Sequence, residues 1–156
     1  MKRCECGGDL KAGPQRLSAV AGGRRFRATV TAPVCRRCRA SFVDGRLLER
    51  FDLAIACDLA MRGPADGETF RFLRKAIGLA AATLAELLGV SAETISRWEN
   101  GQRAVDGPAW ITVGTLVLER AGRPTSTLDR LGVLARDARP ASPVTLVVQP
   151  QAATKM

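Results

Sequence analysis

The stretch Leu79–Gly101, LAAATLAELLGVSAETISRWENG, decides the reading of this chain. Ala81–Leu88 and Ser91–Asn100 read as two short helices joined by Gly89-Val90, a tight connection in which glycine takes the positive φ that other residues avoid. Ala85 is small where the second of these helices must come close to the first. Ser91 has the side chain of an N-cap, accepting from the first free backbone N–H groups of the helix it opens. At 100° per residue, Ile95 and Trp98 turn inward to meet Val90, while Ala92, Glu93, Ser96 and Arg97 turn outward. Phe70–Ile77 supplies a further helix ahead of the pair, so residues 70–120 read as a helix-turn-helix unit.

The neighbouring segments fit a helical domain. Asp106 followed by Pro108 reads as an N-cap with proline in the first turn, opening a helix that runs to about Ala121. That helix carries Ala109, Trp110, Ile111, Val113, Leu116, Val117 and Leu118, apolar nearly all round, and so needs cover on more than one side. Packing inside its own domain and a two-fold dimer contact both answer that need. Ser126 with Asp129 three residues later opens a short helix with Leu128, Leu131 and Leu134. After Arg139-Pro140 the chain reads as a flexible tail, with Val144–Val148 as a lone strand at most.

Upstream, Gly45–Met61 has helical spacing with Leu48, Phe51, Ile55 and Leu59 on one face, and Gly63-Pro64-Ala65-Asp66-Gly67 stops it and reads as a linker. Phe26–Thr31 alternates apolar and polar residues and follows Gly22-Gly23, as the second strand of a hairpin does. Cys4-x-Cys6 and Cys35-x2-Cys38 flank that hairpin with 28 residues between the pairs. Four thiolates brought together this way suit a tetrahedral structural zinc ion, whose binding would supply folding free energy to a module too small for a core of its own. Cys4-x-Cys6 is the weaker half, since zinc knuckles normally leave two residues between ligands, and a three-thiolate site is the alternative. Cys57 lies on a stripe with Leu53 and Met61 and reads as a buried small apolar residue.

Composition narrows the function classes. An apolar fraction of 46% with 25% charged residues fits a globular chain and opposes wholesale disorder. The net charge of +9 favours an anionic partner, and it resides at the N-terminus, where residues 1–50 hold 12 of the 24 Lys and Arg against 4 of the 15 acids. The chain has no histidine and no tyrosine, which removes the usual neutral-pH general base and the histidine-paired nucleophiles. Four thiolates leave a zinc ion no open position for water, so the expectation is a protein that is not an enzyme. The first residues lack the apolar run of an export signal and no segment is long enough to span a bilayer; the cysteines are expected reduced, in the cytoplasm.

A short helix exposing polar groups beside its N-terminus can enter the major groove of duplex DNA. Arg97 is the first candidate for base reading, through O6 and N7 of guanine, with a phosphate contact or a solvated arginine as the alternative. Glu93 can accept from cytosine or stand as a solvated carboxylate at a helix N-terminus, and Ala92 or Thr94 can meet a thymine methyl. Arg71, Lys75, Ser96 and Arg103 are the candidates for phosphate contacts.

The stretch from Leu79 to its Ser-Arg-Trp-Glu-Asn-Gly ending at Gly101 resembles the phage repressor/Cro (Xre) family of helix-turn-helix proteins. The resemblance implies a structural ion pair between Arg74 and Glu99. It also marks a departure, because the family's usual glutamine at the start of the second helix is Ala81 here; backbone N–H groups at that helix start could still hold a phosphate. Cysteine pairs around a hairpin, a linking helix and then this motif resemble the MqsA/YgiT-type antitoxins. That resemblance implies a homodimer on a palindromic operator, repressing its own operon, with the zinc domain gripping a toxin protein; a regulator with no toxin is the alternative. The expected architecture is mainly α: a zinc-bound β-hairpin module at 1–44, a connecting helix and linker at 45–66, a Cro-type (lambda-repressor-like) five-helix domain at 67–138, and a flexible tail at 139–156.

Overall fold

The structure, a computed structural model, describes residues 3–123, 125–135 and 143–148. Two long strands open it, β1 (Leu10–Ala21) and β2 (Arg24–Cys35), paired antiparallel in continuous register from Leu10 opposite Cys35 to Ala21 opposite Arg24. Gly22 and Gly23 close the hairpin at φ of 54° and 68°. Two positive φ values make the turn whose hand matches the twist of the strands, and glycine adopts them without steric cost. The turn is docked on the helices: a Cβ on Gly22 would stand 2.8 Å from Leu59 Cδ2 and 3.1 Å from Thr69 Oγ1.

Along β2 every second side chain turns inward. Arg24, Phe26, Ala28, Val30 and Ala32 are buried, while Arg25, Arg27, Thr29 and Thr31 are exposed. Phe26 and Ala28 enter the same apolar core as the helices. Arg24 at the turn donates to Asp58 at 3.0 Å, and Arg62 bonds the same carboxylate from one helical turn on, so the inward cation is satisfied at the helix surface.

Six α-helices follow among the described residues, where five were expected in the helical domain: α1 (Gly45–Ala60), α2 (Gly67–Ala76), α3 (Ala81–Leu88), α4 (Ala92–Glu99), α5 (Gly107–Arg120) and α6 (Thr127–Gly132), the last running into a 3-10 turn at Val133–Ala135. The additional one is α1, read in the sequence as a connector. Its Phe51, Ile55, Ala56, Leu59 and Ala60 are buried in the shared core, and it packs against α5 and α2. Leu48, placed on the same stripe, lies exposed near the start of the helix, and Met61 is exposed at its end. The expected linker is short and ends in structure, since Asp66 caps α2 by accepting from Thr69 N at 2.8 Å.

Capping chemistry sets the other helix starts. Asp44, Ser91, Asp106 and Ser126 each accept a backbone N–H from the first turn, satisfying donors that have no partner within the helix. The core centres on Phe70, which meets Trp98 edge-on at 5.9 Å and stacks against Trp110 at 6.5 Å. Helix α5 is covered within its own chain: Ala109, Trp110, Val113, Gly114, Val117 and Leu118 are buried, with α1, α2 and α6 packed around it. Ile111 and Leu116 are half-buried, so most of its apolar surface is covered within the chain. One buried cation completes the packing. Arg130 of α6 donates to the carbonyl of Ala60, the last residue of α1, at 2.7 Å and to Thr115 Oγ1 at 3.3 Å.

The tail is a correction. Val144–Thr145 forms β3, which adds to β2 in parallel register, Phe26 opposite Val144 and Arg27 opposite Thr145. The amide of Leu146 donates to the Arg27 carbonyl at 2.9 Å, and Val144, Leu146 and Val148 pack on the core. The rest of the expected tail, 139–142 and 149–156, lies outside the described residues.

Candidate nucleic-acid interface and metal centre

The tight turn between α3 and α4 is built as its residues dictate. Gly89 ends α3 at φ 65°, its N–H and that of Val90 closing on carbonyls of the last turn. Ser91 then opens α4, its Oγ accepting from Thr94 N at 3.1 Å. Ile95 is fully buried and Trp98 nearly so, at 0% and 4% exposure, with Leu84 and Ala85 of α3 buried against them. These anchors leave Ala92, Glu93, Ser96 and Arg97 on the solvent side, and Thr94 half-buried at the edge of that face. Glu93 and Arg97 pair with each other at 2.6 Å across one helical turn, both more than half exposed. An exposed pair of this kind contributes only about 0.3–0.5 kcal/mol, so either side chain can leave its partner for a base or a phosphate.

A buried ion pair fixes α4 from behind. The Arg74 guanidinium donates twice to Glu99, through Nε to Oε1 at 2.6 Å and Nη2 to Oε2 at 3.0 Å, and a third time to the Leu79 carbonyl at 2.7 Å. With both side chains at most 9% exposed, the fork ties the end of α2, the loop after it and the end of α4 together. The bidentate geometry suits this, since it sets orientation as well as distance.

The phosphate candidates are placed as follows. Arg71 and Lys75 are exposed on α2, with Arg71 Nε 3.8 Å from Glu99 Oε2. Arg103 is exposed in the loop after α4. Ser96 Oγ accepts from Asn100 Nδ2 at 3.2 Å. Helix α3 starts at Ala81 without a side-chain cap hydrogen bond, so no side chain of the cap residue offsets the partial positive charge of that helix N-terminus.

One residue essential to this arrangement gave no functional signal in the sequence. Gly67, the first residue of α2, is so close to the end of α4 that a Cβ there would fall on the Trp98 carbonyl oxygen, with the Trp98 carbonyl carbon at 2.8 Å and that of Glu99 at 3.0 Å. A glycine directly after an N-cap aspartate is the trace it leaves. In the sequence that trace is masked by Pro64, which makes the segment look like a linker.

At the far end of the hairpin the four cysteines converge. The Sγ atoms of Cys4, Cys6, Cys35 and Cys38 all lie within 4.8 Å of one another, Cys4 to Cys38 and Cys6 to Cys35 at 3.5 Å. Tetrahedral zinc with bonds of about 2.3 Å sets its sulfurs about 3.8 Å apart, so the donor set and its spacing fit such an ion. Both members of Cys4-x-Cys6 reach the cluster. Gly8 makes this possible, for a Cβ there would lie 2.7 Å from Cys35 Sγ and 3.4 Å from Cys6 Sγ.

The thiols are electrostatically unequal. Backbone N–H groups of Cys38 and Arg37 stabilise the Cys35 thiolate and hold its pKa down to about 6. At Cys4 the Cys6 N–H pulls the other way, but burial and the neighbouring sulfurs prevail and push it up to about 12. Neighbouring sulfurs thus resist sharing negative charge, the tension that a dication would relieve. Cys57 stays apart, buried in α1, where loss of solvent raises its pKa.

Residues 70–111 match the HTH_3 helix-turn-helix family. That segment spans α2, α3, α4 and the start of α5, the elements that position the outward face of α4. No curated protein matches the chain. The match and the geometry together support a DNA-binding regulator, and the four-cysteine cluster is a possible metal site. Among the described residues no helix is long and apolar enough to cross a membrane.

Proposed function

We propose that this chain is a sequence-specific transcriptional repressor that inserts α4 into the major groove of duplex DNA. The observation that carries the reading is the seating of α4: Ile95 and Trp98 are buried and Glu99 is locked to Arg74, so Ala92, Glu93 and Arg97 face outward on a fixed support with half-buried Thr94 at the edge. Arg97 reads guanine, Glu93 selects at a neighbouring pair, and Ala92 and Thr94 meet methyl groups. Arg71, Lys75, Ser96, Arg103 and the N-terminus of α3 hold phosphates and set the register.

An eight-residue helix reads only a short half-site. The reading therefore includes a homodimer on a palindromic operator with half-sites about one or two helical turns apart. Exposed Leu128 and Leu131 on α6 offer an apolar face for it. Cys4, Cys6, Cys35 and Cys38 hold a structural zinc ion, which fastens the open end of the hairpin. The cysteine-clasped hairpin ahead of the helix-turn-helix supports the narrower reading of an antitoxin that represses its own operon. The stand-alone regulator is its alternative, decided by whether a gene beside this one encodes a toxin that the chain neutralises.

Selection from a random-sequence duplex pool tests the central reading. The expected result is one enriched palindrome, whose preference over scrambled duplex falls by roughly 10-fold or more in Arg97→Ala while scrambled duplex is bound nearly as before; one bidentate contact to a base discriminates by about 1–3 kcal/mol. A pool that enriches no sequence would overturn it.

A further inference from the structure

The hairpin offers a second surface for nucleic acid. Between Asp9 and Asp44 the chain carries eight lysines and arginines and no acidic residue. Strand alternation sorts them. Arg24 turns inward to Asp58, and Arg37 donates to the Cys6 carbonyl at 3.0 Å. Arg36, Arg37 and Arg39 crowd the cysteine cluster, where four thiolates around a dication would carry about two net negative charges. Lys11 stands opposite Val34 near the cysteine end, on the other face of β1 from Arg16. That leaves Arg16, Arg25 and Arg27 on the middle of the ribbon. All three are exposed, and none makes an ion pair among the described residues.

They also share one face. In the register, Arg25 stands opposite Val20, Arg27 opposite Ser18 and Arg16 opposite Thr29, so Arg27 and Arg16 each lie across from an exposed hydroxyl group that can also bond phosphate. The face continues into the helix-turn-helix unit. Val20 lines one shallow groove with Ser18, Arg25 and Arg27, and a second with Gly22, Glu68, Arg71 and Lys75. Glu68 is the single carboxylate lining either groove. A line of cations thus runs from α2, over the docked turn, onto the ribbon. Twelve residues of strand extend about 40 Å, slightly more than one turn of duplex at about 34–36 Å.

We propose that Arg16, Arg25 and Arg27 form a rail that grips the phosphate backbone of duplex DNA flanking the site read by α4. The inference rests on the reading of the chain as a DNA-binding protein. It assigns the ribbon to sequence-independent affinity and leaves base selection to α4. Phosphate neutralised by each arginine releases a counterion, so three contacts steepen the dependence of log K on log salt by up to about 2.7.

The test uses the full chain and the palindrome enriched above, in the shortest duplex that holds both half-sites and in a long one extended by about 12 base pairs of unrelated sequence on each side, roughly one helical turn. The variants are R16Q/R25Q/R27Q and the charge-keeping R16K/R25K/R27K. On the long duplex the glutamine variant should bind at least 10-fold more weakly at low salt, with a salt slope shallower by about 2–3, and its preference for the palindrome intact. The lysine variant should stay near wild type, because lysine serves phosphate as a point charge. On the short duplex all three proteins should bind alike. An unchanged slope on the long duplex overturns the rail and leaves the ribbon for an acidic protein partner. Equal weakening on both lengths overturns it too, by placing the arginines inside the core footprint. Failure of wild type to prefer the palindrome at all would instead sink the regulator reading beneath it.

Discussion

Replacing Gly67 with alanine should unseat the recognition helix without touching its surface. In an open position the change would stabilise α2, since glycine in a helix costs roughly 0.5–1 kcal/mol relative to alanine. Here the new methyl group falls on the Trp98 carbonyl oxygen, with two more backbone carbons at 2.8 and 3.0 Å. No flexible side-chain end is there to yield, so α2 and α4 must separate by an ångström or more. Separation stretches the 2.6 Å Arg74–Glu99 contact and disturbs the Phe70–Trp98 packing. Overpacking of this kind costs about 1–3 kcal/mol and more where backbone must move, and loosening a buried bidentate pair adds to it; a total near 3–4 kcal/mol is expected. Urea unfolding measures it, with Gly45→Ala as control: Gly45 is also the first residue of its helix, and a Cβ there meets nothing within 4 Å. The control should be neutral or slightly stabilised. A Gly67→Ala protein as stable as the control would refute the close approach of α2 to α4.

Three further outcomes follow from other contacts. Glu99→Gln should cost roughly 3 kcal/mol by leaving the nearly buried Arg74 charge uncompensated, whereas Arg74→Met with Glu99→Leu should recover most of that stability; equal losses in both proteins would show that charge pairing is not what the fork supplies. Gly114→Ala should destabilise by about 1–3 kcal/mol, because its Cβ would fall on Arg130 Nη2 with Ala60 Cβ at 3.4 Å, and in an Arg130→Leu background that cost should shrink. Zinc-loaded protein should show essentially no fast-reacting thiols in a native titration, four after chelation and the fifth, Cys57, only on unfolding; acidification should release the metal, since protons compete for the thiolates. Four fast thiols in the zinc-loaded protein would contradict the metal centre.

How legible each element was depended on how local its determinants are. Ser91, Asp106 and Ser126 each satisfy the start of their own helix within three residues, so the caps could be read directly from the sequence. Ile95 and Trp98 stand three apart on one short helix, and their burial follows from helical period alone. The convergence of four cysteines was visible because two close pairs flank a hairpin. Interactions across the fold left no such trace. Val144–Thr145 is a strand only because Phe26 and Arg27 lie alongside it, and two residues carry no period of their own. Helix α1 looked like a connector because one of its two covering helices, α5, lies some fifty residues downstream. Pro64 and Gly67 signal a break in the chain, yet Asp66 between them caps α2. Arg130 is indistinguishable in sequence from a solvated arginine, although it closes the end of α1 in the core.

The central claim, that α4 reads bases through Arg97, is tested most directly at the guanine N7 atom. Each guanine of the selected palindrome is replaced in turn by 7-deazaguanine, which removes the acceptor that the Arg97 guanidinium would share with O6. Wild type should lose about 10-fold in affinity, roughly 1.4 kcal/mol, at one guanine per half-site, and Arg97→Ala should be indifferent to the same replacement. If both proteins respond equally at every guanine, the outward face of α4 does not read the groove.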